Sequence, residues 1–361
     1  MSLADIERLR AIVDEVMAVD DSIQLEQPPG AVIFRGRLLA DPAEAIEAVG
    51  ERFRSRGYLT TLDRQRGTDI LAAIPHSPPQ HRTRPRLALA LLLATLASVL
   101  LVGGTMTQPD LESVLRRPLS GLPFAVSLLA ILGTHEMGHY LVARRGGVQV
   151  SLPYFIPMPL GPLGTMGAFI NMRSPPRSRS QLLRIGLAGP LSGLVVAIVV
   201  LIYGLKTSTV GPLPEGQAFL QEGNSVFYLV LKRVILGRWL PGAGLDVDLS
   251  PVAFAGWAGL LVTGLNLIPA AQLDGGHVAY ALLGRTAQIL TVTIAAGMFL
   301  LGLAWPGWYA WAVLILLLGS RRHLVLDDVT PLNWRERLLA VLGLLLAALL
   351  FVPVPLMLVQ P

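Results

Sequence analysis

Hydrophobic and polar positions alternate at short intervals from Met1 to Pro75. Apolar residues recur at helical spacing over residues 4–18, which predicts an amphipathic helix. A strand is expected at residues 31–39, and Asp41-Pro42 then provides an N-cap and a proline suited to a first helical turn. Residues 58–62 and 69–74 are typical of a β-hairpin. The pattern therefore predicts a small soluble α+β domain over residues 1–75.

Long apolar runs replace this alternation from residue 87 onward. A membrane-spanning helix needs about 20 predominantly apolar residues. We expect candidate spans at residues 87–104, 122–143, 182–205, 252–269, 289–304, 308–318 and 338–354. The two short segments 289–304 and 308–318 form either two spans or one hairpin, so the total is six or seven. The predicted fold class is an α-helical polytopic membrane protein over residues 87–361, joined to the first domain by a proline- and arginine-rich linker at residues 76–86.

The distribution of charge agrees with this division. Only 15% of the 361 residues are charged, whereas an ordinary soluble domain has about a quarter. Nearly half of the charged residues fall within positions 1–86, which make up less than a quarter of the chain. The chain has no cysteine, which excludes a disulfide scaffold, a thiolate metal site and a cysteine nucleophile.

Basic residues in the loops predict the orientation in the membrane. With seven spans and the N-terminus in the cytoplasm, 14 basic residues fall in cytoplasmic segments and 6 on the other side, in accordance with the positive-inside rule. The net charge of +5 is therefore assigned to topology, and nucleic acid is not an expected partner. The start of the chain lacks the apolar core of a secretory signal peptide. We expect a multi-pass protein of the cell (inner) membrane with a cytoplasmic N-terminus.

One segment interrupts the apolar runs. Residues 148–167 contain four prolines, which exclude a regular helix, and residues 164–173 alternate like a strand. Non-helical backbone at a membrane is tolerated only where protein or a water-filled cavity covers it. We therefore expect a re-entrant loop that leads into a short β-sheet.

The apolar run at 122–143 contains the motif H-E-x-x-H. On a helix His135 and His139 lie on one face, where both imidazoles can reach a single ion, and Glu136 lies beside them. A bound zinc ion lowers the pKa of its water to about 7, so that Glu136 can accept the proton. Ionisable groups inside an apolar segment are costly and usually functional, which favours a metal site over a polar cluster at a helix end.

A catalytic zinc ion needs a third protein ligand. The polar segment 266–277 closes a predicted span and offers Asp274, and His277 is a rival ligand for which a structural role is preferred. Gly275 and Gly276 allow close approach of the backbone. Since Asp-Gly is also a common turn pair, Asp274 on spacing alone is also compatible with a turn or a helix cap.

Three motifs together resemble the site-2 protease family of intramembrane zinc metalloproteases, over roughly residues 122–285. The motifs are His135-Glu136-x-x-His139, Gly186-x-x-Gly189-Pro190 and Asn266-x-x-Pro269-x-x-x-Leu273-Asp274-Gly275. The resemblance implies His135, His139 and Asp274 as zinc ligands and Glu136 as the general base. It also implies that Asn266 holds the substrate or the developing oxyanion, and that residues 164–173 pair with an unwound substrate.

The function expected from the resemblance is intramembrane proteolysis of single-span membrane proteins near the cytoplasmic face of the bilayer. One alternative is the class of membrane zinc proteases that process prenylated proteins, whose third ligand is a glutamate in a later helix; Glu336 is the acid that would test it. The other is a membrane zinc-binding scaffold or transporter without proteolytic activity. Inverted repeats with paired broken helices, which a transporter should show, are not evident.

Overall fold

The computed structural model describes residues 3–76, 84–212, 219–319 and 324–359. These residues belong to two compact units. One unit comprises Met1–Arg82, Arg173–Leu182 and His323–Arg337, and the other comprises Thr83–Met172, Leu183–Arg322 and Leu338–Pro361. Of the predicted linker at 76–86, residues 77–83 lie outside the described residues.

The first unit, called here the N-terminal unit, is an α+β structure built on a four-stranded antiparallel sheet. Its sheet has the strand order β1-β2-β4-β3, and its two helices pack with the sheet around one hydrophobic core. The predicted strand at 31–39 and the predicted hairpin are both present. The elements are α1 (Leu3–Val13), β1 (Met17–Gln24), β2 (Val32–Leu38), α2 (Pro42–Arg54), β3 (Tyr58–Gln65) and β4 (Thr68–Pro75).

Helix α2 begins as the sequence predicts, because the Asp41 side chain accepts a hydrogen bond from the Ala43 amide and Pro42 occupies the first turn. Helix α1, however, is shorter than predicted. It ends at Val13, and β1 begins at Met17, so the expected helix at 4–18 is wrong over its last residues. Val13 and Met17 are both fully buried in the same core. The apolar spacing therefore continues across a helix–strand junction, which periodicity alone does not reveal.

Two later segments extend the sheet of the N-terminal unit beyond β3. Leu62 pairs in parallel with Asp327, and Asp327 pairs in parallel with Ser178 on its other side. Backbone hydrogen bonds support this ladder, from the Leu62 amide to Leu326 and from the Asp327 amide to Arg177. Residues 176–178 and 326–328 thus complete a unit whose main part is encoded much earlier in the chain.

The second unit is mostly helical. From Pro85 onward the helices are α3 (Pro85–Thr105), α4 (Leu111–Arg116), α5 (Leu122–Arg145), α6 (Arg179–Lys206), α7 (Val226–Leu236), α8 (Pro251–Asn266), α9 (Asp274–Leu283), α10 (Ala287–Leu301), α11 (Gly307–Gly319) and α12 (Trp334–Leu350). The strands are β5 (Tyr154–Pro157), β6 (Thr165–Phe169), β7 (Thr209–Pro212), β8 (Phe219–Glu222), β9 (Leu245–Asp248) and β10 (Leu356–Val359), which pair as β5-β6, β7-β9 and β8-β10.

Four helical segments among the described residues are long and apolar enough to cross a membrane. They are Pro85–Thr105, Pro118–Arg145, Arg179–Lys206 and Asp274–Leu301, and Pro251–Asn266 and Gly307–Gly319 are shorter apolar helices. The first three contain the predicted spans at 87–104, 122–143 and 182–205. The fourth begins at Asp274, earlier than the span predicted at 289–304, because α9 and α10 follow each other with only a short 3-10 turn between them.

The predicted strand at 164–173 is present in shortened form as β6. Its antiparallel pairing with β5 ends at the pair Tyr154 and Phe169. The residue that precedes Tyr154 is Pro153, which has no amide proton to continue the ladder. Beyond this point Met172 forms an isolated bridge with Val150.

Candidate metal centre

Helix α5 places the three residues of the H-E-x-x-H motif in the interior of the second unit. His135, Glu136 and His139 are only 3%, 5% and 5% exposed. The spacing of four residues puts both imidazoles on one face of the helix, one turn apart. Three polar side chains are therefore buried together within a largely apolar segment, as the sequence predicts.

Helix α6 holds the imidazole of His139 through its backbone. The Nδ1 atom of His139 lies 2.7 Å from the carbonyl oxygen of Ile185, which can only accept, so Nδ1 carries the proton. A Cβ atom built on Gly189 would lie 2.1 Å from the Nε2 atom of His139. The absence of a side chain at Gly189 thus makes room for the ring, and the Ile185 carbonyl fixes its tautomer and orientation.

Asp274 joins the two histidines from the first turn of α9. Two glycines follow it, and both lie in places where a side chain cannot fit: a Cβ on Gly275 would lie 2.0 Å from the Leu267 oxygen, and one on Gly276 would lie 2.2 Å from the Ala271 oxygen. The expected close approach of backbone at Gly275 and Gly276 is therefore confirmed. This close approach folds the loop between α8 and α9 tightly, so that Asp274 is directed towards the histidines.

The three side chains form an equilateral donor triangle. The Nε2 atoms of His135 and His139 are 3.2 Å apart, and the Oδ2 atom of Asp274 lies 3.2 Å from each of them. Ligand atoms at zinc bond lengths of about 2.0–2.1 Å in a tetrahedral site are separated by about 3.3 Å. The triangle therefore has the size of one face of a tetrahedral zinc site.

The chemistry of the donors supports a cation at this place. With the proton of a neutral His139 imidazole on Nδ1, its Nε2 atom presents a lone pair to the Asp274 carboxylate. Two electron-rich atoms at 3.2 Å in a buried environment repel each other unless a proton or a metal ion lies between them. His135, His139 and Asp274 form the one group of histidine and acidic side chains within the described part of the chain whose donor atoms lie close enough together to hold a metal ion.

Asn266 and His277 both line the same cavity as the donor triangle. Asn266 ends α8, and its Nδ2 atom lies 3.3 Å from the Nε2 atom of His135. His277 is buried on the first turns of α9 but is not part of the donor group. Gln272 also lines the cavity, and sequence reasoning gave no signal for it.

The cavity has a volume of about 260 Å³ and is bounded on one side by the end of β6. Ala168, Phe169, Ile170 and Met172 contribute to its wall. Strand β6 pairs with β5 in a sheet of two strands, so its other edge has no partner strand among the described residues. Residues of a strand with one unpaired edge, a general-base candidate and a metal-donor triangle thus line one cavity.

Comparison with known proteins agrees with this geometry. Residues 123–305 match the sequence model of Peptidase family M50, which is half of the chain and includes the whole donor triangle. The chain belongs to Peptidase family M50. The resemblance to the site-2 proteases is thereby confirmed, and zinc is the metal that accords with both the family and the donor set.

Relatives of this M50 chain are found among plant proteins. "Probable zinc metalloprotease EGY2, chloroplastic" of Arabidopsis thaliana is 29% identical, over 94% of this chain and 64% of its own length. "Probable zinc metalloprotease EGY1, chloroplastic" of the same species is 33% identical, over 68% of this chain and 45% of its own length. The chain therefore spans about half to two thirds of the length of these relatives. No solved structure matches it.

Proposed function

We propose that this M50 chain is an intramembrane zinc metalloprotease that hydrolyses peptide bonds of single-span membrane proteins near the cytoplasmic face. The observation that carries the proposal is the buried donor triangle of His135, His139 and Asp274 beside Glu136 in an accessible cavity. When bound there, zinc would polarise the scissile carbonyl group and make a water molecule more acidic.

The residues of the chain supply the remaining steps of hydrolysis. Glu136 accepts a proton from the water whose oxygen adds to the carbonyl carbon. It then donates that proton to the amide nitrogen as the carbon–nitrogen bond breaks, which gives an amine and a carboxylic acid; the acid then loses its proton to the amine or to water. Asn266, whose amide group lies next to His135, donates a hydrogen bond to the carbonyl oxygen as negative charge develops.

The unpaired edge of β6 supports substrate binding by strand addition. A peptide bond within a transmembrane helix is shielded by helical hydrogen bonds, so the segment must be extended before it can react. Lipid offers no hydrogen-bond partners for the amide and carbonyl groups that are released. Pairing of the extended segment with β6 satisfies these groups beside the cavity wall formed by Ala168 and Ile170.

The proposed topology has six or seven spans, a re-entrant loop at 148–167 that leads into the strand segment 164–173, and a cytoplasmic N-terminus in the cell (inner) membrane. The four long apolar helices support membrane insertion. Arg144 and Arg145 form the last turn of α5, five and six residues after His139. Since arginine favours the cytoplasmic side, this supports a position of the donor triangle near that face.

The test replaces Glu136 by glutamine in the full chain, reconstituted in proteoliposomes with a panel of tagged single-span membrane proteins. We expect E136Q to lose cleavage by about 100-fold or more while its zinc content equals that of the wild type. The matched control is E112Q, since Glu112 is exposed on α4 and pairs with the neighbouring Arg116. Undiminished cleavage by E136Q would refute the mechanism, and zinc binding without cleavage by the wild type would favour a zinc-binding scaffold.

A further inference from the structure

The N-terminal unit contains a cavity of its own, with a volume of about 360 Å³. It lies between α2 and the edge of the sheet where residues 176–178 and 326–328 extend β3. This volume falls in the range of about 300–1,000 Å³ that is usual for small-molecule sites. None of the residues that line it belongs to the metal centre.

One complete face of α2 borders this cavity. While Ala45, Val49 and Phe53 of the helix point into the hydrophobic core, a second set of residues recurs at the same helical spacing along the cavity. That set consists of Ala43, Ile46, Glu47, Gly50, Glu51 and Arg54. Gly50 lies at its middle, where an added Cβ would meet nothing within 4 Å. The face therefore opens onto free space at its middle.

A buried hydroxyl group on the opposite wall lacks a partner. Thr60 of β3 is 4% exposed and lines the cavity, and its Oγ1 atom has no hydrogen-bond partner among the described residues. Buried polar atoms in native proteins are nearly always hydrogen-bonded, and an unsatisfied one calls for an explanation.

The charges around the cavity are of both signs and are not paired with one another. Glu47 and Glu51 are acidic, Arg54 and Arg177 are basic, and none of the four side chains has an ion pair or hydrogen bond within the described part of the chain. The carboxylate of Asp327, which also lines the cavity, is occupied by two backbone amides that follow it. Two carboxylates and two guanidinium groups thus border one space and remain available to a ligand.

We propose that this cavity binds a small zwitterion with an apolar side chain, namely an apolar amino acid or a dipeptide made of such residues. The ammonium group would face Glu47 and Glu51, and the carboxylate would face Arg54 and Arg177. Ile46, Leu59 and Leu326 supply apolar surface for the side chain. A phosphorylated anion would meet the two glutamates, and a metal cation would meet the two arginines, so the mixed lining disfavours both.

The binding test uses isothermal titration calorimetry on the full-length E136Q protein in detergent, with L-leucine and the dipeptide Leu-Leu as the first probes. Other apolar amino acids and their dipeptides complete the panel. Comparison of the amino acids with the dipeptides shows which of the two classes is the ligand. N-acetyl-leucine and leucine amide each lack one of the two charges. We expect both analogues to bind at least tenfold more weakly than the corresponding zwitterion. Equal binding of zwitterion and analogues, or no binding by any panel member at millimolar concentration, would overturn the proposal.

Variants of the cavity wall locate the binding site. G50F places a ring in the open space and is expected to abolish binding, whereas G50A adds one carbon atom and is expected to retain it. The double variant R54Q/R177Q removes both guanidinium charges and is expected to weaken binding about tenfold or more. Wild-type affinity in G50F or in the double variant would place the ligand elsewhere and overturn the assignment. Because the readout is binding, it does not depend on whether the chain is a protease.

Discussion

Substitution of Gly189 by alanine should disrupt the metal centre without altering any chemical group in it. The new Cβ atom would lie 2.1 Å from the Nε2 atom of His139, 2.3 Å from Cδ2 and 2.6 Å from Cε1. Ordinary contact begins at 3.4 Å, so the ring would have to move by more than an ångström. It is not free to do so in place, because it is buried and its Nδ1 atom is bound to the Ile185 carbonyl.

The magnitude follows from the tolerance of metal coordination. Zinc–ligand distances are held to within about 0.2 Å, so a displacement several times larger removes His139 from the coordination sphere. Loss of a residue that merely orients a ligand already costs about 10- to 100-fold in metal affinity. We therefore expect G189A to bind zinc at least about 100-fold more weakly, and to lose cleavage in parallel.

The assay is zinc content by mass spectrometry, followed by competition with a chromogenic chelator, on protein purified in detergent. The control is G133A in α5, where an added Cβ meets nothing within 4 Å. Both substitutions gain helix propensity of about 1 kcal/mol, so a loss seen only in G189A cannot arise from propensity. Wild-type zinc affinity in G189A would show that the ring does not depend on this glycine, and the reasoning would fail.

Two further outcomes concern other parts of the chain. D274A should lose zinc while H277A retains it, as measured by metal analysis, because only Asp274 belongs to the donor group; the reverse result would reinstate His277 as the third ligand. Lys232 is fully buried, and its Nζ atom lies 3.8 Å from Oε1 of Glu222 and 3.7 Å from Oδ1 of Asp246. Burial lowers the pKa of Lys232 and raises the pKa of Glu222. K232M should therefore destabilise the fold by about 3–5 kcal/mol in denaturant titrations, and the triple variant that adds E222Q and D246N should recover most of this loss. Equal stability of K232M and wild type would refute the pairing.

The metal centre could be predicted only in part from spacing. The four-residue interval between His135 and His139 fixes their common helix face without any tertiary information. Asp274 lies 139 positions after His135 in the sequence, and its convergence on the same point depends on how α5, α6 and α9 pack. The sequence itself left Asp274 open between a ligand and a turn residue, and the family resemblance favoured the ligand.

The extension of the N-terminal sheet was not predictable by the same means. Residues 176–178 and 326–328 are too few to show a period of two, and they pair in parallel with partners far away in sequence. Strand β1 was missed for a different reason, since its buried Met17 continues the spacing of the preceding helix. Local periodicity reports which residues face a core, but it does not report which element carries them.

The backbone of α6 and of the α8–α9 loop positions the side chains of the donor triangle. Ile185 provides a carbonyl oxygen, Gly189 provides an absent side chain, and Gly275 allows the loop carrying Asp274 to approach the Leu267 carbonyl. None of these contributions involves a reactive group. At both glycines an added carbon atom would clash with its neighbours. G275A should therefore lose zinc as D274A does, although it leaves all three donors intact, because its Cβ would lie 2.0 Å from a backbone oxygen that cannot rotate away. Retention of zinc by G275A would mean that the loop has room to rearrange. The close approach of Gly275 to the Leu267 carbonyl would then not be what directs Asp274 to the histidines.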